Sequence, residues 1–356
     1  MDARRRIRVQ SSARRGAYIS GTGSFVPPRV VTNEDLRTEF GVDTSHEWIH
    51  KRTGIEARRF ADDGVGTAEM AEHATRAALE AAGLQAHELD AIVLATLSPD
   101  YHFPGSGVLL QHRLGLSEGD NVKFVPALDV RNQCSGFLYS LSVANGWVRS
   151  GMYKNVLVVG AETHSHALDL TTRGRTVASL FGDGAGAVVV SATEEDRGIR
   201  GIYLGSNGKF ADALCQKIWD ISRFPYVPLD EDGGGLVAPD MLWAHMEGRT
   251  VFRNAVQAMT GALMEACKAC ETTIADIDMF AFHQANMRIN EYVAKMLELP
   301  AEKVPHNIHK YGNTTAATIP LLLDETRRDG RLKDGMKVGL AAFGSGFTWG
   351  SAIIDW

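Results

Sequence analysis

No apolar stretch in this chain approaches the ~18 uninterrupted residues of a membrane-crossing helix, so no membrane span is expected. Cysteine is scarce as well. The four present, Cys134, Cys215, Cys267 and Cys270, form no disulfide framework, which favours a reducing compartment and makes the cytoplasm the default. There is no basic excess: 37 Lys and Arg face 43 Asp and Glu, a formal net charge of -6, and nucleic acid is not an expected partner. The one basic run, Arg4-Arg5-Arg6 through Arg14-Arg15, lacks the long apolar core of a secretory signal and reads as a solvated, flexible tail over residues 1–16.

Three motif-like patterns lack the context that would give them meaning. Cys267-Lys268-Ala269-Cys270 has the spacing of a thiol pair, but it lies in a helical run with no second pair, which favours core packing. His164 and His166 beside Glu162 would point in opposite directions if the preceding strand continued, so no metal site is expected. Phe181-Gly182-Asp183-Gly184-Ala185-Gly186 imitates a dinucleotide loop, yet it precedes the strand-like run Ala187-Val188-Val189-Val190 rather than a helix.

What is present is a core-forming composition and one cysteine in an unusual setting. With 44% hydrophobic residues over 356, the chain has enough apolar side chains for a large α/β unit or two domains. Val122 to Val130 reads as a buried strand, and Phe137, Leu141, Ala144 and Val148 recur at helical spacing until Gly151. Cys134 lies between them. First-turn amides and the positive helix end would favour its thiolate, although a lone cysteine at such a corner also serves as a small buried filler. His283 follows the apolar strand Met279-Phe280-Ala281-Phe282, and Asn313 follows Gly312 ahead of the run Leu321-Leu322-Leu323, where a helix cap is the alternative reading. Cys, His and Asn together are one general solution for a thiol nucleophile with partners that handle negative charge.

An internal echo organises the chain. Asp90 to Thr96 is repeated by Asp278 to Gln284, and Phe181-Gly182-Asp183-Gly184 with Val188 to Val190 is repeated by Phe343-Gly344-Ser345-Gly346 with Ala352 to Ile354. Two similar α/β halves, 17–197 and 198–356, would bring the Cys134 and Asn313 corners face to face. Residues 205–242, with Pro225, Pro228, Pro239 and Gly233-Gly234-Gly235, read as a long irregular excursion and a wall or lid of a binding tunnel.

These residues resemble the β-ketoacyl-acyl-carrier-protein synthase III family of the thiolase superfamily. The resemblance rests on Gln133-Cys134-Ser135-Gly136-Phe137, His283-Gln284-Ala285-Asn286, Tyr311-Gly312-Asn313-Thr314-Thr315, Phe181 to Ala187 and Phe343 to Gly350, in the family's order over roughly residues 17 to 356. It implies the thiolase fold, two pseudo-repeated α/β halves in an αβαβα layered arrangement, and an acyltransferase that condenses an acyl-coenzyme A primer with malonyl-acyl carrier protein through an acyl-cysteine. Cys134, His283 and Asn313 would be catalytic, with the backbone N–H groups of Cys134 and Ser345 holding the oxyanion; the family carries glycine where Ser345 stands. Coenzyme A would meet Trp48, Arg52, Arg175 and Asn286. The family's acidic residue before Arg175 is Gly174 here, which leaves Arg173 as a rival.

Phe181 and Phe103 would line the acyl pocket, Phe103 reaching across a homodimer interface, and Arg253, Arg288 and Lys295 would receive the acidic carrier protein. No resident cofactor or metal is implied, since acyl-coenzyme A is a substrate. A papain-type hydrolase also uses Cys, His and Asn, but places its cysteine in a different local sequence. A non-catalytic, acyl-carrying member is disfavoured because all three reactive positions are filled, and a degradative thiolase would need a second cysteine in the Phe343 to Gly350 loop. The pocket around Ala178, Ser179, Leu180 and Phe181 leaves open a related acyltransferase or condensing enzyme of secondary metabolism with a non-acetyl starter.

Overall fold

The computed structural model describes residues 16–118, 122–218, 220–222 and 239–356. The tail of residues 1–15 lies outside them, and Gly16 already belongs to a strand. Strands β1 (Gly16–Phe25), β2 (Ala91–Ala95), β3 (Ala127–Val130), β4 (Asn155–Glu162) and β5 (Gly184–Thr193) form one sheet in the order β1-β5-β4-β2-β3. Strands β6 (Gly198–Ser206), β7 (Met279–Phe282), β8 (Lys337–Gly344) and β9 (Thr348–Asp355) form a second, ordered β7-β8-β9-β6. The pairing senses repeat. In each sheet the first and last strands of the half run antiparallel, the last pairs antiparallel with the strand before it in sequence, and that strand pairs in parallel with the next.

Alternation along the strands shows how the layers stack. On β4, Val156 and Val158 face one cluster while Leu157 and Val159 face another; on β7, Met279 and Ala281 face the first while Phe280 and Phe282 face a third. The first cluster lies between the sheets. It holds Phe137, Leu138, Leu141, Ala144 and Val148 of helix Gly136–Arg149 and Ile319, Leu322 and Leu323 of helix Thr318–Arg328. Helix Thr67–Ala82 covers the outer face of the first sheet through Met70, Ala74 and Ala78, and helix Gly248–Ala269 covers the second through Met259, Leu263 and Ala266. With both faces of each sheet covered, its central strands read as continuous apolar runs rather than alternating ones. The architecture is the αβαβα layering of the thiolase fold. Among the described residues no helix is long and apolar enough to cross a membrane.

Two expectations need correction or restriction. The strand expected over 122–130 is formed only at Ala127–Val130 and is not buried, with Phe124 81% and Leu128 39% exposed. The reason is its position at a sheet edge, where it pairs only with β2 and has one free side. Of the excursion at 205–242, residues 219 and 223–238 lie outside the described residues; the remainder includes the end of β6, a 3-10 stretch Gly208–Ala213 and strand Leu214–Cys215, which pairs with His245–Met246 beyond it.

One contact between the halves depends on glycine. On β4, a Cβ at Gly160 would overlap the Ala316 carbonyl oxygen, and on β5 a Cβ at Gly186 would lie 2.6 Å from the Leu321 nitrogen. Bare backbone at these two positions lets the turn and helix after Asn313 settle directly on the first sheet. Gly160→Ala is expected to cost about 1–3 kcal/mol by overpacking. Gly146→Ala, on an exposed helix face with nothing within 4 Å of the added Cβ, should instead gain about 0.5–1 kcal/mol. Denaturant unfolding of the two variants against the parent checks both signs.

Candidate active site

The nucleophile candidate sits on a forced backbone. Gln133 has φ +45°, unfavourable for a residue with a side chain, and the 3-10 turn Gln133–Ser135 then feeds into the helix starting at Gly136. Cys134 is buried. A Cβ at Gly344, the last residue of β8, would lie 2.9 Å from both the nitrogen and the Cβ of Cys134, so glycine there lets the following loop close over the thiol. That loop brings the Ser345 N–H to the sulfur alongside the N–H of Cys134 itself. The Ser345 hydroxyl donates to the Leu214 carbonyl and ties the loop to the cleft wall.

The thiol is not poised as a thiolate by its helix. Burial, followed by the nearby Glu162 carboxylate, pushes Cys134 up to about 12 against the opposing pull of the two backbone amides. The expectation of an activated thiolate fails because the sulfur is removed from water, a cost that outweighs the dipole of an α-helix beginning only two residues after the cysteine. Cys134 is held as a neutral thiol.

A matching corner lies in the second half. Thr315 has φ +49°, the 3-10 turn Thr315–Ala317 follows, and it feeds into helix Thr318–Arg328 as Gln133–Ser135 feeds into Gly136–Arg149. The two corners touch, a Cβ at Gly136 lying 3.6 Å from that of Ala316. Asn313 is fixed from three sides: its N–H donates to Leu180 O at 2.8 Å, its carbonyl accepts from Gly182 N at 3.2 Å, and its Oδ1 accepts from Thr315 N at 2.8 Å. This orients the side-chain amide so that Nδ2 remains as its donor end. His283 ends β7, with Nδ1 2.6 Å from Thr318 Oγ1 and Nε2 buried without a partner. Burial lowers His283 to about 3, so the imidazole is neutral. His164 Nε2 reaches Thr315 Oγ1 at 2.6 Å. His164, His283 and Asn313 are thus all anchored to the turn of residues 315–318, which rests against the Cys134 corner.

Cys134, Phe181, His164 and Ser345 line a cleft of about 1120 Å³, walled on one side by residues 214–218 and 243–247. The Phe181 ring packs on His164 at 4.7 Å. Outside this cleft, Trp48 carries the Arg52 guanidinium 4.4 Å and the Arg175 guanidinium 5.2 Å from its ring centroid. Arg173 is engaged elsewhere, pairing with Asp169 at 2.6 Å. Asn286 caps helix Met287–Met296, accepting from Arg288 N at 3.0 Å and donating to Arg52 O at 3.1 Å, so it ties the Trp48 helix to the His283 strand. Phe103 is 81% exposed and does not line its own chain's cleft. Arg253, Arg288 and Lys295 are exposed on the helices Gly248–Ala269 and Met287–Met296, which pack together through Phe252 and Tyr292.

Residues 128–208 match the family described as 3-oxoacyl-[acyl-carrier-protein] synthase III, and residues 267–356 match the C-terminal region of the same enzyme. The chain is 44% identical over 345 residues to a β-ketoacyl-[acyl-carrier-protein] synthase III of Sinorhizobium medicae, covering 96% of this chain and 99% of that protein. It belongs to the β-ketoacyl-acyl-carrier-protein synthase III family. Among solved structures, the Aquifex aeolicus 3-oxoacyl-[acyl-carrier-protein] synthase III superposes with a TM-score of 0.83 at 38% identity, covering 96% of this chain and 100% of that one. The priming β-ketosynthase of the R1128 polyketide pathway superposes at 0.85 with 32% identity, covering 98% of each chain.

In this synthase III chain, sequence reasoning set aside two groups of the site, His164 and Glu162, as an unsupported metal pattern. Glu162 ends β4 with no exposed surface and accepts from Thr96 Oγ1 at 3.1 Å, Ser98 Oγ at 2.6 Å, the amides of Leu97 and Ser98, and Ala316 N at 3.5 Å. It staples the turn after β2 to the 315–317 corner. The available signal was a carboxylate at the end of an entirely apolar strand, the same placement that singled out His283. Burial raises Glu162 to about 7 despite all these donors.

Because its folded value lies above the unfolded 4.5, the native state holds the extra proton between those values. Stability should therefore fall as pH rises from about 4.5 to 7, by on the order of 3 kcal/mol, and Glu162→Gln should lack this slope. The same variant should shift the pH profile of Cys134 alkylation by iodoacetamide downward, since a like charge near the sulfur is removed. An unmoved profile would show that the thiol does not feel Glu162.

Proposed function

We propose that the protein catalyses decarboxylative Claisen condensation of an acyl-coenzyme A primer with malonyl-acyl carrier protein, giving a β-ketoacyl carrier protein through an acyl-Cys134 intermediate. One observation carries the reading. Two backbone amides converge on the Cys134 sulfur, while a neutral, buried and unpartnered His283 Nε2 shares the 315–318 anchor with Asn313.

In the first half-reaction Cys134 sulfur attacks the thioester carbonyl, and the oxyanion is held by the N–H groups of Cys134 and Ser345. The carbon–sulfur bond to coenzyme A breaks, and the proton of the Cys134 thiol leaves with coenzyme A. In the second, the malonyl carboxylate departs as carbon dioxide and leaves an enolate on the thioester oxygen, stabilised by hydrogen bonds from His283 and Asn313 Nδ2. For His283 this needs the hydrogen on Nε2, and so the Thr318 hydroxyl must turn its one hydrogen from the Thr315 carbonyl, 3.0 Å away, to Nδ1 at 2.6 Å. The enolate carbon attacks the acyl-cysteine, whose thiolate leaves and is reprotonated. Neutral partners suit this step because the charge to be stabilised develops only on the substrate oxygen.

The rest of the site follows the same reading. Trp48, flanked by Arg52 and Arg175, offers a stacking face and two cations for the adenine and phosphates of coenzyme A, with Asn286 holding that platform in place. Phe181 bounds the acyl chain. The free edge of β3 with exposed Phe103 and Phe124 supports a homodimer in which the partner's Phe103 enters the pocket. Arg253, Arg288 and Lys295 offer positive charge to the carrier protein. Four free thiols fit a cytoplasmic setting. The substrates require no resident cofactor, and the two halves divide between β5 and β6, at 197/198. A second reading, a secondary-metabolic enzyme with a non-acetyl starter, is favoured by the cleft wall of residues 214–218 and 243–247 and by the likeness to the R1128 priming enzyme.

Intact-mass measurement after incubation with acyl-coenzyme A should show one adduct, absent in Cys134→Ala and retained when Cys215, Cys267 and Cys270 are each changed to alanine. His283→Ala and Asn313→Ala should still be acylated but release carbon dioxide from malonyl carrier protein ~10²–10³ more slowly. If instead they release it normally and resist acylation, the two residues serve the thiol and the division of labour is wrong. Sedimentation at micromolar concentration should give a dimer; a fully active monomer would remove Phe103 from the pocket.

A further inference from the structure

The cations lining the cleft are not equally engaged. Arg173 pairs with Asp169 at 2.6 Å and Lys217 with Asp212 at 2.7 Å, but Arg131, exposed and lining the same cleft as Cys134, has no ionic or hydrogen-bonding partner among the described residues. It is the only arginine or lysine of the described cleft lining in that state. Arg131 directly follows Val130, the last residue of β3, and precedes Cys134 by three residues, a backbone span of at most about 11 Å. An unpaired guanidinium so close to the nucleophile presents a fork of donors that matches a carboxylate.

We infer, resting on the acyl-Cys134 reading above, that Arg131 is a specificity-determining residue that selects primers whose acyl chain ends in a carboxylate, the coenzyme A monothioesters of short dicarboxylic acids. The carboxylate of the extender is the poorer match: holding it on a guanidinium would stabilise the ground state that must lose carbon dioxide and would slow that step. A primer carboxylate is kept through both half-reactions, so its ion pair costs the chemistry nothing.

The test compares succinyl-coenzyme A with butyryl-coenzyme A, equal in carbon number and differing in the terminal charge, by the rate of Cys134 acylation in intact mass. The parent protein should favour succinyl. Arg131→Ala should lower the succinyl-to-butyryl rate ratio by roughly fivefold or more, the scale of a charge-assisted contact in a partly solvated cleft, and Arg131→Lys should restore part of it.

A parent enzyme that takes butyryl and not succinyl, or that is labelled by acetyl-coenzyme A and by neither of these, overturns the proposal while leaving the acyl-cysteine reading intact, and failure of all three primers to label Cys134 would instead overturn that reading. An equal loss for both primers in Arg131→Ala would assign the guanidinium to the shared coenzyme A portion. A variant impaired only in use of malonyl carrier protein would assign it to the extender, and one that loses its dimeric state would assign it to the subunit contact. Each of these three results contradicts a primer-selecting role.

Discussion

The site depends on one close approach between the two halves, the seating of the 315–317 turn on the bare backbone of β4 at Gly160. Because no side chain stands there, Ala316 reaches the first sheet, its N–H meets the Glu162 carboxylate, and its Cβ comes against the helix start at Gly136. The side chains of Asn313 and His283 are both tied to this corner, Asn313 through Thr315 and His283 through Thr318 just after the turn. Dense packing transmits the position of β4 to groups more than 120 residues away in sequence, with little room for slack. The pseudo-repeat makes this possible: two turns with the same left-handed entry and the same 3-10 lead into a helix meet as counterparts, one carrying the thiol and the other anchoring the side chains of Asn313 and His283.

The electrostatics of the site are those of a dry, neutral cavity. Burial overrides the helix terminus at Cys134, holds His283 uncharged and pushes Glu162 into the neutral range. In the proposed reaction such a cavity, with Glu162 as its one group near the point of ionising, would provide donors where oxygen becomes negative, the arrangement that lowers a barrier without first stabilising the substrate. Charge is concentrated instead at the periphery, on Arg52 and Arg175 around Trp48 and on the exposed faces of the helices Gly248–Ala269 and Met287–Met296.

How much of this was legible depended on whether the signal was local. The Cys134 corner, the strand delivering His283, the Asn313 turn and the echo of the two halves are all written in short windows of residues, and the structure places them accordingly. The stacking of Arg52 and of Arg175, rather than Arg173, on Trp48 was legible as well, although only through resemblance. What failed was decided by distant neighbours. Val122 to Val130 is apolar enough for a central strand, yet it has no partner on its far side and stays exposed. The thiol was expected to ionise on the strength of its helix, but its state is set first by burial, to which the loop closing at Gly344 contributes, and then by Glu162, 210 and 28 residues away along the chain. Glu162 was read only beside His164 and His166, in a metal pattern set aside, because its partners, Thr96 to Ser98 and Ala316, come from elsewhere in the fold.

The claim that the two corners form a single condensation site is tested most directly by a crystal structure of the Cys134-acylated protein with a non-decarboxylating malonyl thioester analogue bound. The account predicts the acyl oxygen between the amide nitrogens of Cys134 and Ser345, and the analogue's thioester oxygen at about 2.7–3.1 Å from both His283 Nε2 and Asn313 Nδ2. A complex in which His283 Nε2 instead contacts the Cys134 sulfur, with the thioester oxygen turned to solvent, would contradict it.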